Sequence, residues 1–286
     1  MTNPGSRLIG RTPELLELRT ALADAIAGRG GLLMLGGEPG IGKTALADEI
    51  STEAAARGAQ VAWGRCSEDS GAPAYWPWTE ILRGLLRDRD RNSLGAILGD
   101  RAAQLSALIP EFATSAPYPA GAESAPQATG LGSNEPADQR FRLFDSIATL
   151  IAAIARDRPL LIVLDDAHDA DPASLLLLRF VARGVRRLPL LIVVTYRENE
   201  LRLDPKRAES LAGLRREGAT IVLTGLGAPE VALFVQSRMA GAPDASLVAE
   251  LRKVTEGNPF FLSEIVRLLA AEGPRQSAKG LAAFRI

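Results

Sequence analysis

A glycine-rich segment between an apolar run and a helical pattern constrains the fold more than any other part of the sequence. Residues 31–35 read GLLML, and residues 36–44 follow as GGEPGIGKT. The apolar run favours a buried strand, whereas the glycines and the proline favour a tight turn in which no side chain blocks the backbone N–H groups. The spacing Gly-x-x-x-x-Gly-Lys-Thr between a strand and a helix is that of a P-loop, which cradles phosphate groups.

Each residue type of this loop has a chemical role in the prediction. The following helix adds its positive N-terminal end and free N–H groups to the phosphate site. Lys43 is predicted to reach the β- and γ-phosphates as a catalytic cation, and the Thr44 hydroxyl is predicted to bind Mg²⁺. The predicted nucleotide-binding residues of this segment are Gly37, Glu38, Pro39, Gly40, Ile41, Gly42, Lys43, Thr44 and Ala45.

Further apolar runs resemble the strand that precedes the loop. They are apolar at nearly every position, which is typical of strands buried on both faces of a parallel sheet. Helical patterns separate them, at residues 44–58, 139–157 and 172–185. The alternation predicts an α/β fold with a five-stranded parallel sheet flanked by helices. The predicted strands are residues 31–35, 59–63, 159–165, 189–196 and 219–224.

Two segments depart from this alternation. Residues 113–137 are rich in Pro, Ala, Gly and Ser, which predicts a flexible surface insertion. The strand patterns then stop after the fifth strand, and three short helices are predicted at residues 228–241, 245–257 and 259–273. We therefore expect a P-loop α/β domain at residues 1–225 and a small helical lid subdomain at residues 226–286.

Charged side chains follow two of the predicted strands. Asp165 and Asp166 end an apolar run, and the carboxyl ends of strands form the ligand-binding edge of an α/β sheet. Asp165 is predicted to bind Mg²⁺, and Asp166 to be the catalytic residue that polarises the attacking water. Arg197 follows the next strand, and two interpretations have equal weight: a bidentate contact with the γ-phosphate, or a solvated loop arginine.

The composition excludes several other kinds of site. One cysteine and one histidine exclude an intrachain disulfide, a thiolate metal cluster and a zinc site with several imidazoles. No apolar run approaches the ~20 residues of a membrane span. The formal net charge of −1 gives no sign of a surface for nucleic acid. We therefore expect a cytoplasmic protein without a membrane partner.

Three further features have a structural interpretation beside a functional one. The aromatic segment YWPW, residues 75–78, is predicted to pack in the core or against the lid rather than to bind a partner. His168 either contacts the nucleotide or a neighbouring subunit, or stabilises the turn after its strand. Cys66 is expected to be inert.

Together these motifs resemble the ATPase domain of the STAND class, signal-transduction relatives of the AAA ATPases with an ASCE-type P-loop fold. The likeness is greatest to the N-terminal ATPase of large bacterial helix-turn-helix transcription regulators. The stretches that carry it are LIGRTPEL, GGEPGIGKT, LLIVLDDAHDAD, TYR and EGNPFFLSEIVRLL. Two positions differ from the family pattern: Thr12 stands where Glu is usual, and Asp169 stands where many relatives have Trp.

The resemblance implies how adenine is held and what the domain does. In the family, the backbone of the N-terminal motif borders the base, and the proline of the Gly-x-Pro lid motif packs on it. The corresponding residues are Ile9, Gly10, Arg11 and Pro259. The implied role is a regulatory switch, in which ATP orders the lid against the α/β core and slow hydrolysis to ADP resets it.

Two other functions compete with the switch. A small-molecule P-loop kinase needs an acceptor pocket and an arginine-bearing lid, whereas the lid segment here reads GNPFF. A DNA-loading AAA ATPase of the replication-initiator type needs a basic face and a winged helix, whereas the net charge is −1. The sequence therefore favours the switch over both.

The resemblance also implies partners. Relatives continue into winged-helix, helical-repeat and DNA-binding domains, so we expect this chain to be truncated rather than naturally short. Its partners would then be ATP or ADP and its own C-terminal regulatory domains. DNA would bind only through those domains, and nucleotide-dependent self-association is a further expectation.

Overall fold

Parallel strands and α-helices alternate along the part of the chain that the structure describes. The structure is a computed structural model, and it describes residues 8–66, 73–87, 89, 101–106, 108–109, 136–200, 205–239 and 241–272. The strands are β1 (Gly31–Gly37), β2 (Gln60–Arg65), β3 (Leu160–Asp165), β4 (Leu190–Arg197) and β5 (Ala219–Leu223). The helices are α1 (Thr12–Ile26), α2 (Lys43–Ala56), α3 (Trp76–Leu86), α4 (Ala102–Ser106), α5 (Pro136–Asp157), α6 (Pro172–Gly184), α7 (Pro205–Arg215), α8 (Ala228–Gln236), α9 (Ala245–Thr255) and α10 (Pro259–Glu272).

The five strands form one sheet in the order β2-β3-β4-β1-β5. Every neighbouring pair is parallel, and the register of β1 and β4 aligns Gly36 with Tyr196 and Gly37 with Arg197. Strand β4 therefore lies between the strand that leads into the glycine-rich loop and the strand that ends in the acidic pair. As a result, the carboxyl ends of β1, β3 and β4 meet at one edge of the sheet.

Alternate residues of the central strand pack on opposite faces of the sheet, as the two-residue period of a strand requires. Ile192 and Val194 belong to the hydrophobic cluster shared with α3, α5 and α6. Leu191 and Val193 belong to the cluster shared with α1 and α2. All four side chains are fully buried. The helices thus cover both faces, which is why the sequence of this strand is apolar without interruption.

The predicted α/β class and all five predicted strands are confirmed. Helices α1, α3, α4 and α7 lie in segments where the periodicity predicts none. Residues 113–135 of the predicted insertion lie outside the described residues. The helix that follows this segment, α5, begins at Pro136. Among the described helices, none combines the length and the apolar character needed to cross a membrane.

The three C-terminal helices share a hydrophobic cluster of their own, which includes Val231 of α8, Leu251 of α9 and Leu262 of α10. A helical subdomain therefore follows the sheet, as expected. Its first residues are also tied to its last loop, since the Leu226 N–H donates to the Gly257 carbonyl at 2.8 Å. The assignment of residues 226–286 as a separate domain stays a prediction.

The aromatic segment at the start of α3 packs against the rest of the α/β core. Trp78 is fully buried, and its Nε1 donates to the Ser174 carbonyl of α6 at 3.1 Å. Tyr75 meets Phe144 of α5 edge to face, with ring centroids 6.1 Å apart. The predicted packing role is therefore confirmed for Trp78 and Tyr75.

Truncating a buried side chain of the central strand is expected to destabilise the domain. Ile192→Ala removes a fully buried side chain and should cost about 2–5 kcal/mol in the free energy of unfolding. The matched change Leu16→Ala, at a side chain that is 64% exposed on α1, should stay within about 0.5 kcal/mol of the parent. Urea unfolding measures both, and equal losses would contradict the packing described above.

Candidate functional site

The loop that joins β1 to α2 turns at two glycines. Gly40 and Gly42 have φ angles of 73° and 106°, in the left-handed region that residues with a Cβ rarely adopt. Gly42 directly precedes α2, and the first turn of a helix leaves backbone N–H groups without helical acceptors. A glycine turn that leads into a helix N-terminus is an arrangement suited to binding an anion.

Lys43 is directed back over this loop. Its Nζ donates to the Gly37 carbonyl at 3.0 Å and to the Glu38 carbonyl at 2.8 Å, and the residue is only 5% exposed. Burial lowers the pKa of Lys43, whereas the charge of Asp166 raises it and that of Arg197 lowers it. The ammonium group has three N–H donors, so one stays available to a phosphate oxygen beside the two carbonyls.

Asp165 lies at the carboxyl end of β3, where two hydroxyl groups converge on it. Thr44 Oγ1 lies 3.1 Å from Oδ1 and 3.2 Å from Oδ2 of this carboxylate. Thr195 of β4 donates its hydroxyl to Oδ1 at 2.6 Å and accepts the Asp166 N–H at 2.8 Å. Asp165 is 5% exposed, so the hydroxyls compensate for much of the solvation that this carboxylate loses.

The pair formed by Thr44 and Asp165 fits a magnesium ion. Both side chains offer oxygen, the ligand type that Mg²⁺ prefers, and adjacent oxygens of an octahedral Mg²⁺ shell lie about 2.9 Å apart. The observed separations of 3.1 and 3.2 Å are close to that spacing. A hydroxyl and a buried carboxylate could therefore hold the ion as neighbouring ligands.

The acidic pair is separated by the end of the strand. Strand β3 ends at Asp165, and Asp166 adopts a left-handed conformation with φ 55° and ψ 47°. The alternation of side chains in a strand therefore does not continue to Asp166. Of the charged groups around Lys43, Asp166 has the largest effect on the lysine pKa. Both carboxylates thus act on the same cleft.

A further charged cluster lies beyond the ends of β3 and β4. Arg197 Nη1 donates to Glu200 Oε1 at 2.7 Å, and this bond raises the pKa of Arg197. His168 is 1% exposed, and its Nε2 lies 3.2 Å from Glu200 Oε2 and 3.3 Å from Asp169 Oδ2. Its Nδ1 lies 3.9 Å from Asp166 Oδ1. Through His168 and Glu200, this cluster extends from the Asp166 carboxylate to the Arg197 guanidinium.

Cys66 lies beside this acidic region but is chemically quiet. It is buried as a free thiol, and burial raises its pKa, with Asp169 and other carboxylates adding to the effect. A buried cysteine that stays protonated is a poor nucleophile. This environment agrees with the expectation that Cys66 is inert.

The N-terminal motif braces the loop from the opposite side. Arg11 is 4% exposed, and its Nη2 donates to the Ile41 carbonyl at 3.0 Å and to the Thr224 carbonyl at 2.8 Å. A Cβ on Gly10 would lie 2.6 Å from the Glu230 side chain, so only glycine fits between this motif and α8. Ile9 packs against the cluster of the helical subdomain.

The helical subdomain reaches the glycine-rich loop through the residue before Pro259. Asn258 is 4% exposed, and its Nδ2 donates to the Pro39 carbonyl at 2.9 Å. Its Oδ1 accepts the Phe260 N–H at 3.0 Å, so the same side chain caps α10. A Cβ on Gly40 would lie 2.6 Å from Phe260 Cβ, which leaves no room for a side chain on the loop.

The predicted site residues therefore fall into two groups around one loop. The first group faces the cleft at the ends of β1, β3 and β4, as its contacts and mutual charge effects show. It consists of Lys43, Thr44, Asp165, Asp166 and Arg197. The adenine residues predicted from the resemblance lie at the junction with the helical subdomain, and these are Ile9, Gly10, Arg11 and Pro259. Their roles toward a nucleotide stay predictions.

Sequence reasoning missed three residues of this region. Thr195 stands inside a strand whose neighbours the sequence does not reveal, and Glu200 stands in a polar loop that resembles any other. The capping role of Asn258 could have been predicted, because an asparagine directly before a helical proline is typical of an N-cap.

The family described as "AAA ATPase domain" matches residues 7–193. This chain belongs to that family. The resemblance stated from the motifs is thereby confirmed at the level of an AAA-related P-loop ATPase, with ATP binding and nucleotide hydrolysis as its general activity.

Solved AAA-related structures share the fold of this AAA ATPase domain. The ORC2 protein of Aeropyrum pernix is 15% identical with a TM-score of 0.55, over 98% of this chain and 66% of that chain. Cdc6p of Pyrobaculum aerophilum is 16% identical with a TM-score of 0.50, over 97% and 65%. A STAND protein of Pyrococcus horikoshii with a tetratricopeptide repeat sensor is 16% identical with a TM-score of 0.50, over 98% and 34%.

A curated relative extends well beyond this AAA ATPase domain. An uncharacterized protein of Rhizobium meliloti (strain 1021) is 27% identical over 276 residues, which are 91% of this chain and 25% of that protein. This chain therefore spans about a quarter of the length of that relative.

Asn258→Asp is expected to separate the two roles of this side chain. Aspartate caps a helix as well as asparagine, but it has no N–H for the Pro39 carbonyl and places a charge beside it. We expect a loss of about 1–3 kcal/mol in the free energy of unfolding. The control is Asp244→Asn, the reverse exchange at the exposed N-cap of α9, which should change stability by less than about 0.5 kcal/mol. Equal effects of the two exchanges would contradict the contact with the loop.

Proposed function

We propose that this domain is a regulatory switch that binds Mg²⁺–ATP, hydrolyses it slowly and passes the nucleotide state to attached domains. The hydrogen bond from Asn258 to the Pro39 carbonyl carries the proposal. It connects the helical subdomain to the backbone of the predicted phosphate-binding loop. Through this bond, a change in the loop on binding triphosphate or diphosphate would be transmitted to the subdomain, as a two-state switch requires.

Different residues of the chain have different proposed roles at the phosphate groups. The backbone of the loop and Lys43 hold the β- and γ-phosphates, while Thr44 and Asp165 hold Mg²⁺, which shields phosphate charge when bound. Asp166 orients the attacking water and accepts its proton, and Arg197 stabilises the charge on the γ-phosphate. The distances around Asp165 and the charge effects on Lys43 support this division.

The junction between the sheet and the helical subdomain is the proposed adenine site. Ile9 and Gly10 pack there against the subdomain, and Pro259 begins α10 next to the contact with the loop. The ORC2 structure of Aeropyrum pernix is one of ADPNP and ADP complexes. A shared fold and an AAA ATPase family assignment support an adenine nucleotide here as well.

The wider role follows from the sequence motifs and the size of the relative. We propose that the domain acts in cytoplasmic signal transduction or transcription regulation in a bacterium. Further regulatory domains would receive the signal, DNA would be contacted only through them, and the domain would self-associate in a nucleotide-dependent manner. A longer relative that continues beyond the matching region supports this arrangement.

Lys43→Ala is expected to weaken ATP and ADP binding about 10- to 100-fold, because it removes a charge-assisted contact worth about 1.5–3 kcal/mol. Calorimetry with ATP, ADP and GTP in the presence of Mg²⁺ measures the affinities, and GTP should bind more weakly than ATP. Lys253→Ala, at an exposed lysine of α9, serves as the control and should bind as the parent does. Unchanged affinity in Lys43→Ala would refute the phosphate site.

The two aspartates are expected to fail in different steps. Asp166→Asn keeps the shape but loses the proton acceptor, so hydrolysis should slow by about 10²-fold or more while ATP affinity stays near the parent value. Asp165→Asn should instead weaken the Mg²⁺-dependent part of binding. A single-turnover assay over hours with labelled ATP measures the first effect. If Asp166→Asn hydrolyses ATP as fast as the parent, the proposed role of Asp166 is wrong.

A further inference from the structure

Glu200 stands between two groups of the charged cluster, and the hydrolysis scheme leaves its role open. One carboxylate oxygen accepts from Arg197 at 2.7 Å, and the other lies 3.2 Å from His168 Nε2. Glu200 itself does not belong to the glycine-rich loop or to the acidic pair. Of the two side chains that it contacts, Arg197 is the one with a proposed role at the phosphate groups.

Arg197 is near the phosphate site as well as near Glu200. Its charge lowers the pKa of Lys43, and the charges of Asp166 and Asp169 raise the pKa of Arg197. The geometry agrees, because Arg197 ends β4 in register with Gly37 of the predicted phosphate-binding loop, and it therefore lies on the side of the cleft where the γ-phosphate is expected. The Nη1 donor of this guanidinium is already bonded to Glu200.

The ion pair is weak enough to be exchanged. The side chains of Arg197 and Glu200 are 32% and 31% exposed, and ion pairs with this much access to water contribute little net stability. A phosphate group carries more negative charge than a carboxylate and forms strong bidentate contacts with arginine. After exchange, the Glu200 carboxylate still has the imidazole of His168 beside it and retains contact with water.

We propose that Glu200 is a positioning residue that holds Arg197 in competition with the terminal phosphate of a nucleoside triphosphate. The inference rests on the proposed contact between Arg197 and the γ-phosphate. A diphosphate lacks the γ-phosphate that would bind the arginine, so Arg197 stays on Glu200. Arg197 thus changes its partner only when a triphosphate binds. The strength of its bond to Glu200 determines how much of the free energy of triphosphate binding is used to break that bond.

Glu200→Gln tests the exchange, because it keeps the shape and removes the charge that holds Arg197. We expect ATP affinity to rise about two- to fivefold, the range for one exposed ion pair, while ADP affinity stays unchanged. The measured quantity is the ratio of the ADP and ATP dissociation constants of the full chain, by calorimetry with Mg²⁺. A loss of general packing would move both constants together and leave this ratio alone.

Two further variants make the result specific. In an Arg197→Gln background, Glu200→Gln should have no further effect on the ratio, as a double-mutant cycle for a direct pair requires. Glu198→Gln is the matched control, because Glu198 lies in the same loop but pairs with Arg215 at 2.9 Å. It should leave the ratio at the parent value.

Several outcomes would overturn the inference. These are an unchanged or lowered ATP-to-ADP preference in Glu200→Gln, and an effect that persists without Arg197. A third is Mn²⁺ or Zn²⁺ binding to the nucleotide-free protein that Glu200→Gln abolishes, since Glu200, His168 and Asp169 would then be metal ligands. Failure of the proposed function looks different: the parent would not bind ATP, or Arg197→Gln would keep the full preference for ATP over ADP.

Discussion

The buried carboxylate of Asp165 is the constraint on which the rest of the site depends. A carboxylate removed from water is unfavourable unless hydrogen bonds replace its solvation. Thr44 at the start of α2 and Thr195 on β4 provide those bonds. The first turn of α2 and the ends of β3 and β4 can therefore not move independently without leaving a buried charge poorly solvated. The same bonds fix the position of the loop that ends at Lys43.

The sequence predicts those parts of the site that are local in the chain. The glycine-rich loop, the strand before it and Asp165 at the end of β3 all follow from short-range patterns, and the structure has them where expected. Thr195 could not be predicted, because its role depends on β4 lying next to β3, and strand order is not written in any local pattern. The same holds for the contact of Asn258 with Pro39, which joins residues 219 positions apart.

The structure adds detail to two predictions made from the sequence, those for the acidic pair and for Arg197. Strand β3 ends at Asp165, and Asp166 follows it in a left-handed backbone conformation, so the two carboxylates with different predicted tasks also have different backbone conformations. For Arg197, which the sequence leaves between a phosphate contact and a solvated arginine, the structure adds the bond to Glu200 and the register with Gly37 of the predicted phosphate-binding loop. That it meets the γ-phosphate stays a prediction.

Both cations predicted to bind phosphate already have acceptors within the protein: carbonyls for Lys43 and a carboxylate for Arg197. Phosphate binding at this site is then an exchange of partners, not only the addition of new bonds. The net gain per contact is smaller than the strength of the bond formed, since an existing bond is lost each time. Such a site favours ligands that reach several donors at once over single anions.

Among the described residues, several contacts join the helical subdomain to the α/β core, and the packing of Ile9 and Gly10 against the subdomain is one of them. The chain enters it after Thr224, whose carbonyl is held by Arg11, and the loop before α10 returns to the core through Asn258 and Pro39. Because these contacts lie at different places along the junction, they restrict how the three helices can move against the sheet. Any nucleotide-driven movement of the three helices is thus limited before any ligand binds. Whatever follows α10 in a longer chain would move only as far as these contacts allow.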